Sequence, residues 1–168
     1  MTKLAAQGLV LALVLLASCK KSSNSSTPAG STITATVDGT PMTFNNVLVA
    51  KDTSYLGAYL ITISGISSLA ASAPELSLTV DGPSAVTTGT YSLPPSGTIT
   101  DVPALSFSQG STLVYSSDVS GTYSSSVVIT SLSKTNVQGT FTGTLTLSLG
   151  SGATTKAITD GKFNVNFK

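Results

Sequence analysis

The chain contains no histidine, no tryptophan and no arginine, and only one cysteine. Each absence closes off chemistry. Without histidine, the usual base of a nucleophilic triad is missing, and so is a principal zinc ligand. Without arginine there is no bidentate fork for phosphate or guanine. No basic cluster follows the first two dozen residues, so no nucleic-acid partner is expected. One cysteine cannot close a disulfide within the chain. Charge is scarce as well: eight lysines stand against seven acids, charged residues make up 9% of 168, and the net charge is +1.

Serine and threonine fill the place of charge, at about a third of the chain, far above ordinary usage. A disordered chain would be poor in apolar residues and rich in charge. This one is 40% hydrophobic, and its length suffices for one domain with a core. Threonine suits a pleated strand because its branched Cβ packs well there. A threonine-coated face is thus a neutral, soluble β surface.

The clearest stretch is Val137 to Leu149. Val137, Gly139, Phe141, Gly143, Leu145, Leu147 and Leu149 occupy alternate positions, with Gln138, Thr140, Thr142, Thr144, Thr146 and Ser148 between them. In an extended chain this period of two puts one set in a core and the other in water. Strands with one wet face belong to antiparallel sheets. Thirteen residues is long for a strand. Gly139 and Gly143 lie on its inward parity, where glycine permits a bend or a close approach. The strand is expected to bend there and to serve two sheets or curl around the core.

Similar alternation marks Thr32 to Val37, Tyr59 to Ile66, Glu75 to Val80 and Phe163 to Phe167. Asp38-Gly39 signals a hairpin, and Asp160-Gly161 a turn into the last strand. Ser133 to Asn136 connects Val127–Ile129 to the central stretch. Lys51-Asp52-Thr53-Ser54 reads as loop. About nine or ten strands with turns every 8–12 residues, and no helix after the N-terminal segment, predict an all-β fold. That fold is an antiparallel β-sandwich or a flattened barrel over 32–168.

The N-terminus carries an address. Lys3 precedes an apolar run from Gly8 to Ala17, shorter than the ~20 residues of a spanning helix and suited to a signal peptide over 1–18. Leu16-Ala17-Ser18-Cys19 then resembles a bacterial lipobox. The resemblance implies cleavage before Cys19 and acylation of that residue. Several acyl chains on one residue give stable membrane anchoring. Lys20, where the inner-membrane retention signal would have Asp, points to the outer membrane. Lys20-Lys21-Ser22-Ser23-Asn24 lacks the acidic run associated with surface export, which favours the periplasmic face. Residues 19–31 read as lipidated cysteine and flexible tether, holding the domain roughly 20 Å from the bilayer.

Further pieces of the chain resemble a family of small Bacteroidota lipoproteins with an all-β domain of no assigned function. They are Ile33-Thr34-Ala35-Thr36-Val37-Asp38-Gly39, Gly89-Thr90-Tyr91, Ile129-Thr130-Ser131-Leu132, Gly139-Thr140-Phe141 and Ile158-Thr159-Asp160-Gly161-Lys162-Phe163. The resemblance supplies no catalytic residues.

The acids Asp38, Asp52, Glu75, Asp81, Asp101, Asp118 and Asp160 are the candidates for paired-carboxylate chemistry. Asp38, Asp81, Asp101 and Asp160 adjoin turns or loops, where aspartate bonds to its own backbone. No catalytic residue, metal or cofactor is expected. Tyr55, Tyr59, Tyr91, Tyr115 and Tyr123 could form an aromatic platform for a sugar or a protein, and Tyr55, following a polar stretch, is the candidate for an exposed binding surface.

The sequence therefore points to a lipid-anchored, monomeric envelope protein. Its expected role is a non-enzymatic binding or structural module with a protein or glycan partner. The alternatives are a carbohydrate-binding accessory of a polysaccharide system and, third, a hydrolase. Three tyrosines on one exposed face would favour the accessory. Two acids across a groove would favour the hydrolase.

Overall fold

The computed structural model describes residues 30–55, 57–93 and 102–168, the side chains of Lys51 and Tyr55 apart. The expected signal peptide, Cys19, most of the tether and Asp101 lie outside the described residues. Eleven strands are present: β1 (Thr32–Val37), β2 (Thr40–Thr43), β3 (Asn46–Tyr55), β4 (Ala58–Ile66), β5 (Pro74–Gly82), β6 (Gly89–Leu93), β7 (Val102–Gln109), β8 (Leu113–Ser117), β9 (Ser125–Leu132), β10 (Asn136–Leu149) and β11 (Thr155–Asn166). This slightly exceeds the nine or ten expected from the sequence. No helix occurs among the described residues.

All pairings are antiparallel, in the order β2-β1-β11-β10-β8-β7-β5-β4-β3, with β9 on β10 and β6 on β9. The sheet curls into a half-barrel, the all-β architecture expected of a sandwich or flattened barrel. Its inner face is lined by the apolar parity of each strand, including Ile33, Ile61, Ile63, Leu76, Leu78, Leu105, Val127, Phe141, Leu145, Ile158 and Val165. The curl brings the chain's end against β3. The Lys168 N–H donates to the Ala50 carbonyl (3.1 Å), and the Phe167 N–H to the Thr135 carbonyl (3.0 Å). The last residues are thus tied down, as the alternation of Phe163 to Phe167 implies.

β10 organises the sheet in the manner its glycines suggest. From Val137 to Gly143 it pairs with β9, and from Leu145 onward with β8. At the crossing, a Cβ on Gly143 would come within 2.8 Å of the Ser125 Cβ, so only glycine lets β9 lie this close before it departs. The parity of β10 is clean up to Phe141 and fades beyond the crossing. Leu145 is buried, but Thr144, Thr146 and Leu147 are half-buried, and Leu149 is exposed. The expected burial of Leu147 and the exposure of Thr144 and Thr146 are corrected accordingly: past Gly143 the two faces of β10 no longer separate core from water.

Asp38-Gly39 forms the expected hairpin. Both residues have positive φ, 47° and 79°, the type I′ geometry that two-residue hairpins favour. Asp160-Gly161 does not turn the chain. It lies inside β11, where Thr159 and Asp160 stand against the single residue Thr142 between the pairs Phe141↔Gly161 and Gly143↔Ile158. The result is a bulge, with Asp160 at φ 52°; a bulge of this kind bends its strand and resets its parity. Ile158 faces inward before it, and Gly161, Phe163 and Val165 after it. Asp81 and Gly82 end β5 and lead into the loop from Pro83, as expected.

Candidate functional site

The sequence singles out Tyr55 as an exposed surface residue following a loop. The structure corrects the loop: Lys51 to Ser54 belong to β3, paired residue by residue with Thr62 to Tyr59, and Tyr55 ends the strand opposite Ala58. β3 is an outer strand of the sheet, and charged residues on such a strand discourage pairing with another chain. Polar residues on both parities there mimic a loop in sequence. The Tyr55 side chain and Cys19 lie outside the described residues.

Of the other tyrosines, Tyr115 is buried. Tyr91 is half-buried and turns its hydroxyl back onto Thr87, donating to the carbonyl (2.9 Å) and accepting from the amide (3.0 Å). Only Tyr59 and Tyr123 among the described tyrosines are exposed, at 39% and 38%. The described rings therefore do not provide the three needed for a platform.

The acids are held by the fold. Burial works to raise the pKa of Asp38, but the Lys156 ammonium (2.7 Å), the Ala157 amide (2.8 Å) and the Lys156 charge outweigh it and hold the pKa below its usual value. Lys156 projects from β11 over the rings of Tyr115 and Phe107, 5.1 and 5.8 Å from their centroids. It thereby pins the β1–β2 turn to the rim of the core. Asp118, absent from the expected turn residues, is buried and organises the connection between β8 and β9. Its carboxylate accepts from the Ser120 hydroxyl (2.6 Å) and from the amides of Ser120, Thr122 and Tyr123. The Ser120 hydroxyl, with those amides, lowers its pKa against a smaller effect of burial. The signal was in the sequence: Asp118-Val-Ser120 is the spacing of an aspartate that bonds the backbone two residues on. Glu75 accepts from the buried Ser64 hydroxyl at 2.5 Å.

The signs of these shifts predict acid behaviour. A carboxyl whose folded value is lowered contributes stability that is complete above its unfolded value, 3.8 for aspartate, and is lost as pH falls through the lower folded value. Thermal unfolding followed between pH 7 and pH 2 is expected to be flat above the ordinary carboxylate range and to fall below it. In Asp118→Asn the fall should be shallower.

A groove of about 480 Å³ lies on the solvent side of the β10 crossing. Its lining is Ser92 and Leu93 of β6, Ser124 to Ser126 at the start of β9, Thr142 to Thr144 of β10 and Ala157 to Thr159 of β11. Sequence reading did not find it, because its residues come from four strands. The register explains its form. Ser92, Ser126 and Thr142 are direct partners across β6, β9 and β10 and share one face. Beneath them, Leu93, Ser125, Gly143 and Ile158 form the adjoining row on the opposite face. The departure of β9 and the bulge of β11 flank β10 here, and the outer face dips between them. Among the described residues no ionisable side chain lines the dip, and no group of three or more His, Cys, Asp or Glu side chains could hold a metal ion.

No family model, curated protein or solved structure matches the chain.

Proposed function

We propose that the protein is a lipid-anchored module of the bacterial cell envelope that binds or supports a partner and performs no chemistry of its own. The anchor reading rests on the lipobox-like Leu16-Ala17-Ser18-Cys19 and the polar stretch behind it; Lys20 and the absence of an acidic run after it support the periplasmic face of the outer membrane. One observation carries the non-enzymatic reading. Asp38 and Asp118, the two acids whose pKa is shifted, both have it lowered, and both are committed to donors that shape turns. A general acid needs the opposite shift, and a general base or nucleophile needs a free lone pair aimed at a substrate. Neither residue lines the groove. The second reading, a carbohydrate-binding accessory, is favoured by the groove's hydroxyl lining rather than by an aromatic platform.

The anchor is tested by Cys19→Ala in cells fed labelled palmitate and then fractionated. The variant is expected to lose the label and to leave the membrane fraction or accumulate uncleaved. Retained acylation with unchanged membrane association would overturn the reading.

A further inference from the structure

Resting on the reading of the domain as a binding module, we propose that the groove at the β10 crossing is a binding site for a neutral oligosaccharide. Its size falls in the range of small-ligand sites. Ser92, Ser124, Ser126, Thr142, Thr144 and Thr159 contribute hydroxyls, and among the described residues no lysine or carboxylate lines it. Hydroxyls both donate and accept; the ligand that matches them does the same over its whole surface and carries no charge. A phosphate or carboxylate entering here would surrender its hydration without meeting a cation. A metal would find no carboxylate.

The arrangement leaves little backbone for an extended peptide. Strand addition requires an open edge, which among the groove's strands β6 alone has; β9 lies between β6 and β10 here, and β10 lies between β9 and β11. Their backbone groups are engaged in the sheet, and side-chain hydroxyls are what remains to face a ligand. Ser92, Ser126 and Thr142 stand on adjacent strands, so their side chains repeat at about 4.8 Å across the sheet. That spacing is comparable to the distance between non-adjacent hydroxyls on a pyranose ring. The Ser92 hydroxyl donates to that of Ser126 at 3.3 Å, whereas among the described residues those of Ser124, Thr142 and Thr144 have no protein partner. Gly143, Ala157 and the threonine methyls offer the apolar ground on which sugar C–H faces rest.

The row beneath is fixed. Leu93, Ser125 and Ile158 are 3%, 2% and 1% exposed. The Ser125 hydroxyl is bound to that of Ser117 (3.0 Å), which in turn accepts the Leu105 N–H (2.8 Å). The hydroxyl row therefore stands on a packed floor, the preorganisation that a site made of individually weak contacts requires.

The test uses the full chain in detergent micelles, titrated calorimetrically with cellohexaose, xylohexaose and mannohexaose and, as the anionic counterpart of equal length, hexagalacturonate. At least one neutral hexaose is expected to bind saturably and better than hexagalacturonate. Thr142→Val, which keeps the branched shape and removes the hydroxyl, should weaken that binding about three- to tenfold. Thr140→Val, on the same face of β10 but outside the groove, should leave it unchanged. Ser126→Ala serves as the second groove variant should Thr142→Val lower the melting temperature. No saturable binding of the three neutral hexaoses up to about 10 mM, equal affinity in the folded groove variant, or preference for hexagalacturonate would each overturn the site. Membrane partitioning of the same preparations is scored separately, so failure of the groove and failure of the anchor are told apart.

Discussion

Phe141→Ala is expected to lower stability by about 3–5 kcal/mol, the largest loss of any single truncation in β10. The side chain is 1% exposed and stacks on Phe163 with ring centroids 6.4 Å apart. It lies two residues before the crossing, where β10 still pairs with both β9 and β11. Its removal opens a void bounded by three strands whose backbones are locked in ladders, so collapse to fill it is restricted. Leu145→Ala, fully buried on the far side of the crossing, should cost about 2–5 kcal/mol. Thr140→Ala, exposed on the outer face, should stay within about 1 kcal/mol. Domains of this kind have only about 5–15 kcal/mol in total, so the first two variants should show much lower denaturant midpoints and the third nearly none. A larger loss at Thr140 than at Phe141 would mean that the faces are assigned the wrong way round.

Gly161→Ala is the second large effect, and it comes from adding an atom. Gly161 is the direct partner of Phe141, and its φ lies outside the left-handed region, so space decides the outcome. An alanine Cβ would collide with the Phe141 carbonyl oxygen and approach its ring to 2.6 Å. The ring could swing aside, but the carbonyl is part of the β10 backbone and cannot. Overpacking against fixed atoms typically costs about 1–3 kcal/mol, occasionally more, and the upper end is expected. Comparing Gly161→Ala, Phe141→Ala and the double variant in urea separates the two contacts. A ring clash alone would make the second change nearly free once the first is in place. A carbonyl clash leaves Gly161→Ala costly in both backgrounds, and the latter is expected. Near-neutrality of Gly161→Ala in the native background would contradict the close approach of β10 and β11.

The fate of the Asp-Gly pairs shows which parts of the fold could be read in advance. Asp38-Gly39 and Asp160-Gly161 carry the same local signal, yet one is a type I′ turn and the other a bulge. What separates them is non-local: β11 has β1 on one side and β10 on the other, and both ladders continue past Asp160. The alternation of β10 was legible because its first half truly divides core from water. It became misleading beyond Gly143, where the strand changes partners. Lys51 to Ser54 looked like loop because an outer strand does not need an apolar parity. Asp118 could have been read from its spacing to Ser120, but the groove could not. Ser92, Ser126, Thr142 and Thr159 meet only through the register of four strands, and each alone is one more residue of the commonest types in the chain.

The partner of β1 has a consequence in time. Apart from its own hairpin with β2, the first strand pairs only with β11, the last, in a register that sets Ile33 against Phe163. Ile33 is fully buried by that arrangement. Closing a loop that spans nearly the whole domain costs entropy before any contact rewards it, and sheets dominated by such pairings fold in milliseconds to seconds rather than microseconds. A nascent chain that still lacks its final dozen residues has no place to seat β1 and cannot complete its core. Such a chain stays pliant until β11 has been made, and only then can β1 be seated and the core around Ile33 close.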